Sequence, residues 1–273
     1  MYGNNQGNRS NNGWAIRIGI AVILAGFAFF KYLGSSQVNP VTGQKQHVAL
    51  SQSQEIALGV QSAPVMVREH GGEVTSGSDA DLVHRVGQAI VDRTEAGKSH
   101  YQFQFHLLSD DQTVNAFALP GGQVFITEAL LKKLQTEGQL AGVLGHEIGH
   151  VVARHGAQQL AKQELTQGLA NSATVASNGY GGDLARQVGT LVNLKYGRGD
   201  ELEADNYGVR YCAKAGYDPR AMLGVMKILA SLSANGRTPE MLSTHPNPSN
   251  RAEKIEEALK EEFPGGVPSG LKP

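Results

Sequence analysis

The sequence has one cysteine, Cys212, in 273 residues. A single thiol excludes an internal disulfide framework, a cysteine-based zinc finger and an iron–sulfur cluster on its usual thiolates. Charge of one sign is also lacking. Lys and Arg number 24 against 25 Asp and Glu, a formal net charge of −1. With no long basic run beside that balance, the chain has no electrostatic footprint for nucleic acid, and no such partner is expected. No internal repeat is visible. Glycine is plentiful, 34 residues, but without the three-residue period of collagen, so it reads as turns. Apolar residues make up 40%, enough for a sizeable core. The length fits one large domain or two small ones.

The N-terminus divides sharply. Residues 1–13, MYGNNQGNRSNNG, are Asn/Gly low complexity and read as a disordered polar tail. The next stretch, 14–33, reads as a transmembrane anchor or a signal segment. Its uncharged centre, Ile18–Phe30, gives about 20 Å of helix, too short alone to cross ~30 Å of hydrocarbon. Counted from Trp14 to Leu33 the length suffices, with Arg17 and Lys31 snorkelling and Trp14 and Tyr32 at the interfaces. A cleaved signal peptide, cut after Ser36, is the alternative. No cysteine follows the apolar run, which excludes a lipoprotein. The amino terminus, Arg9 and Arg17 against Lys31 and Lys45 place the N-terminus in the cytoplasm and the main domain on the outer side of the membrane.

Residues 34–50 read as a polar linker, 51–263 as one domain and 264–273 as a flexible tail. In the domain, Ser53–Val67 is helical with Pro64 as a kink or break, and Ser78–Glu95 is a helix capped by Ser78 or Asp79. Tyr101–Leu107, Val114–Leu119 and Gln123–Thr127 read as strands, the last two flanking the turn Pro120-Gly121-Gly122. Thr136 caps a long helix from Leu140 to about Glu164. Residues 168–190 are rich in Gly, Ser and Asn and predict weak helix at most. Asp200–Ala215, Pro219–Leu232 and Asn250–Glu262 complete a helix-dominated α+β fold with a small, mostly antiparallel sheet.

Inside the long helix stands His146-Glu147-Ile148-Gly149-His150. At ~100° per residue the two histidines lie ~40° apart, one turn above the other, the spacing that lets two imidazoles hold one zinc. Glu147 lies beside them, within reach of a water at the metal, as a general base requires. The flanks are apolar, where two buried histidines and a glutamate need partners, and a metal supplies them. A third ligand is expected in Asp200-Glu201-Leu202-Glu203-Ala204-Asp205. Glu201 and Asp205 share a helix face, so Glu201 as ligand and Asp205 on the outer N–H of a ligand histidine form a consistent pair. Glu203 points away and stands as the alternative ligand. An acidic, solvated helix start is the other reading of this segment. His155, nine residues after His146, falls on the opposite face of the long helix and is taken as structural. His245, before Pro246, is either an oxyanion donor, a blocker of the open metal position or a surface residue.

Together these segments resemble peptidase family M48, membrane-associated zinc metalloproteases that join H-E-x-x-H to E-x-x-A-D. His146, Glu147 and His150 match the first motif, and Glu201, Ala204 and Asp205 the second. Asn115-Ala116-Phe117-Ala118-Leu119-Pro120-Gly121-Gly122 looks like the family's N-A-F-x-x-P-G-G segment, and Thr244-His245-Pro246 with Arg251 like its T-H-P…R stretch. The resemblance implies a zincin-like (gluzincin) domain with one Zn2+ per chain on His146, His150 and Glu201. It also implies endopeptidase action on unfolded or damaged proteins at an envelope membrane. The chain lacks the multiple spans and C-terminal repeats of other branches and resembles the compact type on an N-terminal anchor. Asn115, Ala116, Phe117 and Ala118 are then candidates for an edge strand that pairs with substrate. The competing expectation is a zinc-stabilised, chaperone-like binding module with little turnover.

Overall fold

The computed structural model describes residues 12–177, 195–234, 236, 238–245 and 250–273. All but the last two residues of the expected polar tail, and residues 178–190 of the Gly/Ser/Asn-rich stretch, lie outside the described residues. Helix α1 (Asn12–Gly34) comes first. The segment read as a linker carries an antiparallel hairpin, β1 (Ser36–Val38) and β2 (Lys45–His47). Its buried amides finish the active-site helix α5 (Glu137–Val152): Asn39 Nδ2 donates to the Val152 carbonyl and Gln46 Nε2 to the Ala153 carbonyl, both at 2.8 Å. Carbonyls at a helix C-terminus have no intrahelical donor, so these contacts satisfy them.

Helix α2 (Gln52–Glu69) opens with a capping box between Ser51 and Gln54 and runs on past Pro64. The hydrogen bond lost at the proline is offset by burial of Ala63 and Met66 against the sheet. Helix α3 (Ser78–Arg93) is capped at Gly77, without the side-chain cap expected from Ser78 or Asp79. The central sheet has the order β3-β5-β4, where β3 is Gln104–Leu108, β4 Ala116–Leu119 and β5 Gln123–Thr127. β4 and β5 are antiparallel but β3 and β5 are parallel, so this sheet, expected to be mostly antiparallel, has one pairing of each kind. β4 is an edge strand. The β4–β5 turn needs its glycines: Gly121 has φ 89°, and a Cβ there would lie 2.4 Å from the Ile56 Cα. Alternation along the strands sends Ala116, Ala118, Val124 and Ile126 into the main core and Phe117, Leu119 and Phe125 toward α2.

Helix α4 (Glu128–Leu131) is capped by Thr127, and α5 by Thr136, which accepts from the Gln139 N–H. The single helix expected from Leu140 to Glu164 is two helices. α5 stops at Val152 and α6 (His155–Ser177) begins after Arg154, whose φ is 59°. A left-handed arginine is costly, and its buried partners hold it there. Its Nε donates to Glu55 Oε1 at 2.8 Å, Nη2 to the Leu50 carbonyl at 2.7 Å and Nη1 to Gln37 Oε1 at 3.1 Å.

Helices α7 (Arg198–Lys214), α8 (Ala221–Ala234), α9 (Met241–Thr244) and α10 (Arg251–Glu262) follow. The last ten residues are tied down at their end: the Asp218 N–H donates to the Lys272 carbonyl at 2.6 Å and the Gly138 N–H to the Pro273 carbonyl at 2.9 Å. α5 is buried on every side from Gly138 to Val152. It crosses α7 at close range because both helices are small there. A Cβ on Gly145 would lie 3.3 Å from the Gly208 Cα, and one on Gly149 would lie 2.7 Å from the Tyr207 Cβ. That approach sets the carboxylates of α7 against the histidines of α5.

Candidate active site

His146, His150, Glu201 and His245 converge in the centre of the domain, each offering one ligand atom within 4.8 Å of the others. All four are buried. His146 Nε2 lies 3.0 Å from His150 Nε2, and Glu201 reaches both rings, at 3.6 Å and 3.4 Å. His245, after α9, places its Nδ1 3.0 Å from Glu201 Oε1 and 3.4 Å from His146 Nε2. Of the expected site residues, the two helix histidines, Glu147, Glu201, Asp205 and His245 therefore stand together.

The outer nitrogens of the two helix histidines are held differently. His146 Nδ1 donates to Asp205 Oδ1 at 2.9 Å, leaving Nε2 with a free lone pair. Arg251 forks onto the same carboxylate, from Nε at 2.7 Å and Nη2 at 2.8 Å, and its Nη1 lies 3.2 Å from Glu201 Oε2. Burial alone would raise the Asp205 carboxyl, but Arg251 and His146 more than offset it and hold it below its ordinary value. His150 instead has its Nδ1 2.9 Å from His155 Nδ1, and His155 Nε2 lies 3.4 Å from Glu203 Oε2. One proton assignment leaves His150 Nε2 free: His150 Nδ1–H donates to His155, and His155 Nε2–H donates to Glu203. Glu203, the alternative ligand, thus supports a ligand from outside. Burial is the main reason that His150 is held well below the ordinary imidazole value, with the His146 and His155 rings adding to it, so the ring is neutral at pH 7.

Glu147 is fully buried, and neither of its oxygens has a hydrogen-bond partner. Glu201 Oε2 and His245 Nε2 also make no hydrogen bond, although Glu201 Oε2 is ion-paired with Arg251 at 3.2 Å. The nearest charge to Glu147 is His245 Nε2, 3.6 Å away. Burial pulls the His245 imidazole down, but the Glu147 and Glu201 carboxylates outweigh it and the net direction is up. Three buried carboxylates, Glu147, Glu201 and Asp205, face one guanidinium, Arg251. The buried carboxylates outnumber that fixed cation, and a divalent cation would complement them. A His2Glu donor set with facing lone pairs, orphaned carboxylate oxygens and that charge deficit fit zinc.

Tyr196 closes one side. Its ring stacks on His150 at 3.9 Å between centroids, and its N–H donates to the Thr244 carbonyl at 3.2 Å. Burial, with Glu147 and Glu201 nearby, pushes the phenol far above its ordinary value, so it stays a neutral donor. A small cavity runs from His150 and Tyr196 to Ala118, Leu119 and Pro120 at the end of β4. Ala116 and Ala118 of the expected edge strand face α5, Phe117 stacks on Phe125 at 4.8 Å, and Asn115 Nδ2 donates to Glu240 Oε1 at 3.2 Å.

Sequence reasoning missed Tyr196 and the part played by His155. Tyr196 carries no spacing signal. His155 is placed on the wrong face by a helix assumed to continue, and no glycine or proline marks the break at Arg154. Arg251 is visible as part of a motif, but only the fold reveals its two carboxylates.

Residues 78–259 match peptidase family M48. The beta-barrel assembly-enhancing protease of Yersinia pestis is 33% identical over 233 residues, 80% of this chain and 46% of that protein. The protein of the same name from Escherichia coli strain K12 is 30% identical over 246 residues, 85% of this chain and 49% of that protein. The mitochondrial metalloendopeptidase OMA1 of Bos taurus is 30% identical over 268 residues, covering 91% and 50%. The chain thus spans about half the length of these relatives, and residues 78–259 contain every residue of the buried His/Glu cluster. The chain belongs to peptidase family M48.

Proposed function

We propose that this domain is a zinc-dependent endopeptidase with one zinc on His146, His150 and Glu201. The observation that carries the reading is Glu147, a buried carboxylate with both oxygens unpartnered beside a convergent His2Glu set. Zinc held there would supply a Lewis acid that polarises the scissile carbonyl and acidifies a water. Glu147 takes that water's proton and delivers it to the leaving amine. Asp205 and Arg251 fix His146, and His155 with Glu203 fixes His150, so the ligand lone pairs point inward before metal arrives. A peptide would lie extended along β4, pairing with the backbone of Ala116, Phe117 and Ala118; Asn115, expected to join them, has its N–H and C=O bonded to Thr127.

His245 offers a nitrogen to the same point as His146, His150 and Glu201, which supports a latent state in which His245 must withdraw before substrate reaches Glu147. The same burial favours the second reading, a zinc-stabilised binding module with little turnover. The names of the relatives, a protease and a metalloendopeptidase, support action on protein substrates, and we assign that action to protein quality control at a cell-envelope membrane. α1 contains a 22-residue stretch, Gly13–Gly34, long and apolar enough to cross a membrane, which supports an anchor; the basic residues flanking it favour the domain on the outer side. Casein hydrolysis by the full chain, beside an equally zinc-loaded Glu147→Gln variant, tests the reading. Cleavage by the wild type alone supports the peptidase. Equal rates from both would overturn it, and no cleavage from either favours the binding module.

A further inference from the structure

We propose that the second half of α6 is embedded in the bilayer beside α1, so that the domain enters the membrane with two antiparallel helices. The proposal rests on reading α1 as a membrane span.

The two helices are fastened at a definite level. Lys31 Nζ of α1 lies 2.6 Å from Glu164 Oε2 of α6. One turn further from the domain, a Cβ on Gly168 would lie 2.6 Å from the Ala28 Cβ, so the backbones touch there because Gly168 has no side chain. On α1 the partly covered residues are Ala21, Ala25, Ala28 and Tyr32, and after Glu164 on α6 the covered or partly covered ones are Leu165, Gly168, Ser172, Thr174 and Val175. Thr174 apart, both sets follow the alternating three- and four-residue spacing of a helix–helix seam. From Ala28 back to Ala21, and from Gly168 on to Val175, each helix advances by about 10 Å. The last described turn of α6 therefore lies level with Ala21, past the middle of the apolar stretch of α1. If α1 spans the bilayer, that part of α6 cannot remain in water while it is packed there.

The composition of α6 suits that place. After Glu164 it has no charged residue through Ser177. Helix α10, on the domain surface, has eight charged residues in twelve. The polar side chains of α6 are turned onto the helix itself. Thr166 donates to the Lys162 carbonyl at 2.8 Å, Ser172 to the Leu169 carbonyl at 2.7 Å, Thr174 to the Ala170 carbonyl at 2.9 Å, and Gln167 Nε2 to Asn171 Oδ1 at 2.8 Å. Such bonds, which also occur on helices in water, satisfy these groups without solvent. Leu169 meanwhile is 42% exposed, directed away from the protein. The occupant that these features fit is hydrocarbon.

The test is spin-label accessibility in the full chain, reconstituted into phosphatidylcholine–phosphatidylglycerol vesicles. Three variants each carry one exposed label: Gln163→Cys, Ala173→Cys and Val22→Cys. The wild type, whose Cys212 is buried, is the blank. Collision with oxygen is compared with collision with a water-soluble nickel chelate. The ratio is expected to favour oxygen at Val22 and Ala173 and nickel at Gln163. Nickel access at Ala173 with oxygen preference at Val22 would overturn the α6 proposal and leave the anchor standing. Nickel access at Val22 would overturn the anchor, and the α6 proposal with it.

Discussion

Helices α1 and α5 are both rich in apolar residues, and they lie in opposite surroundings. α1 is exposed along most of its length, with Phe30 at 74%, while α5 is buried all round from Gly138 to Val152. Their glycines separate them. A Cβ on Gly142, Gly145 or Gly149 of α5 would meet Met222, Gly208 or Tyr207, whereas Gly19 and Gly26 of α1 have nothing within 4 Å. The polar residues separate them as well. α5 carries two histidines and a glutamate that need neighbours of opposite chemistry, and α1 has no such demand between Arg17 and Lys31. An apolar helix with ionisable residues on one face calls for protein around it, and one without them can face lipid.

The sharpest way to break this comparison is to remove a group that α5 buries for chemistry. Glu147→Gln keeps the size of the side chain and removes the base. Hydrolysis is expected to fall by about 10²–10⁴-fold with zinc content unchanged, read by peptide cleavage beside metal analysis. A variant that turns over like the wild type would mean that Glu147 is buried for some other purpose.

Next in size is the charge that balances the buried carboxylates. Arg251→Met leaves Asp205 and Glu201 without their guanidinium. The expected loss is about 3–5 kcal/mol of stability in the metal-free protein, measured from urea unfolding midpoints. A midpoint equal to the wild type's would mean that Arg251 is not needed to balance the buried carboxylates.

Smaller again is the outer support of His150. His155→Phe keeps a ring and removes the acceptor for His150 Nδ1–H. Zinc affinity, measured by chelator competition, is expected to weaken by about 10–100-fold, with the circular dichroism spectrum retained. Unchanged affinity would return His155 to the merely structural role that its sequence position suggests.

That residue also marks where the sequence stops being readable. The pair His146/His150, the cap at Thr136 and the shared face of Glu201 and Asp205 all follow from helical spacing, which is local. So do the three central strands, to within a few residues. The break at Arg154 is not local: it depends on Glu55, Gln37 and Leu50, about a hundred residues upstream. Everything after the break rotates with it, which brings His155 onto His150. The parallel pairing of β3 with β5 is another such case, because β4, not β3, is the hairpin partner that sequence order offers to β5.

The smallest effect tests the glycines directly. Gly149→Ala puts a methyl where α5 and α7 nearly touch, 2.7 Å from the Tyr207 Cβ, and neither helix can move without dragging Glu201 and Asp205 off the histidines. The expected cost is about 1–3 kcal/mol, with weaker zinc binding as a second readout. Gly26→Ala makes the same chemical change on α1, where there is open space. The methyl meets no protein atom, and alanine favours helix over glycine by about 0.5–1 kcal/mol. The variant is therefore expected to melt no lower than the wild type. Equal losses from both substitutions would mean that α1 packs against protein at Gly26, and the contrast between the two helices would fail.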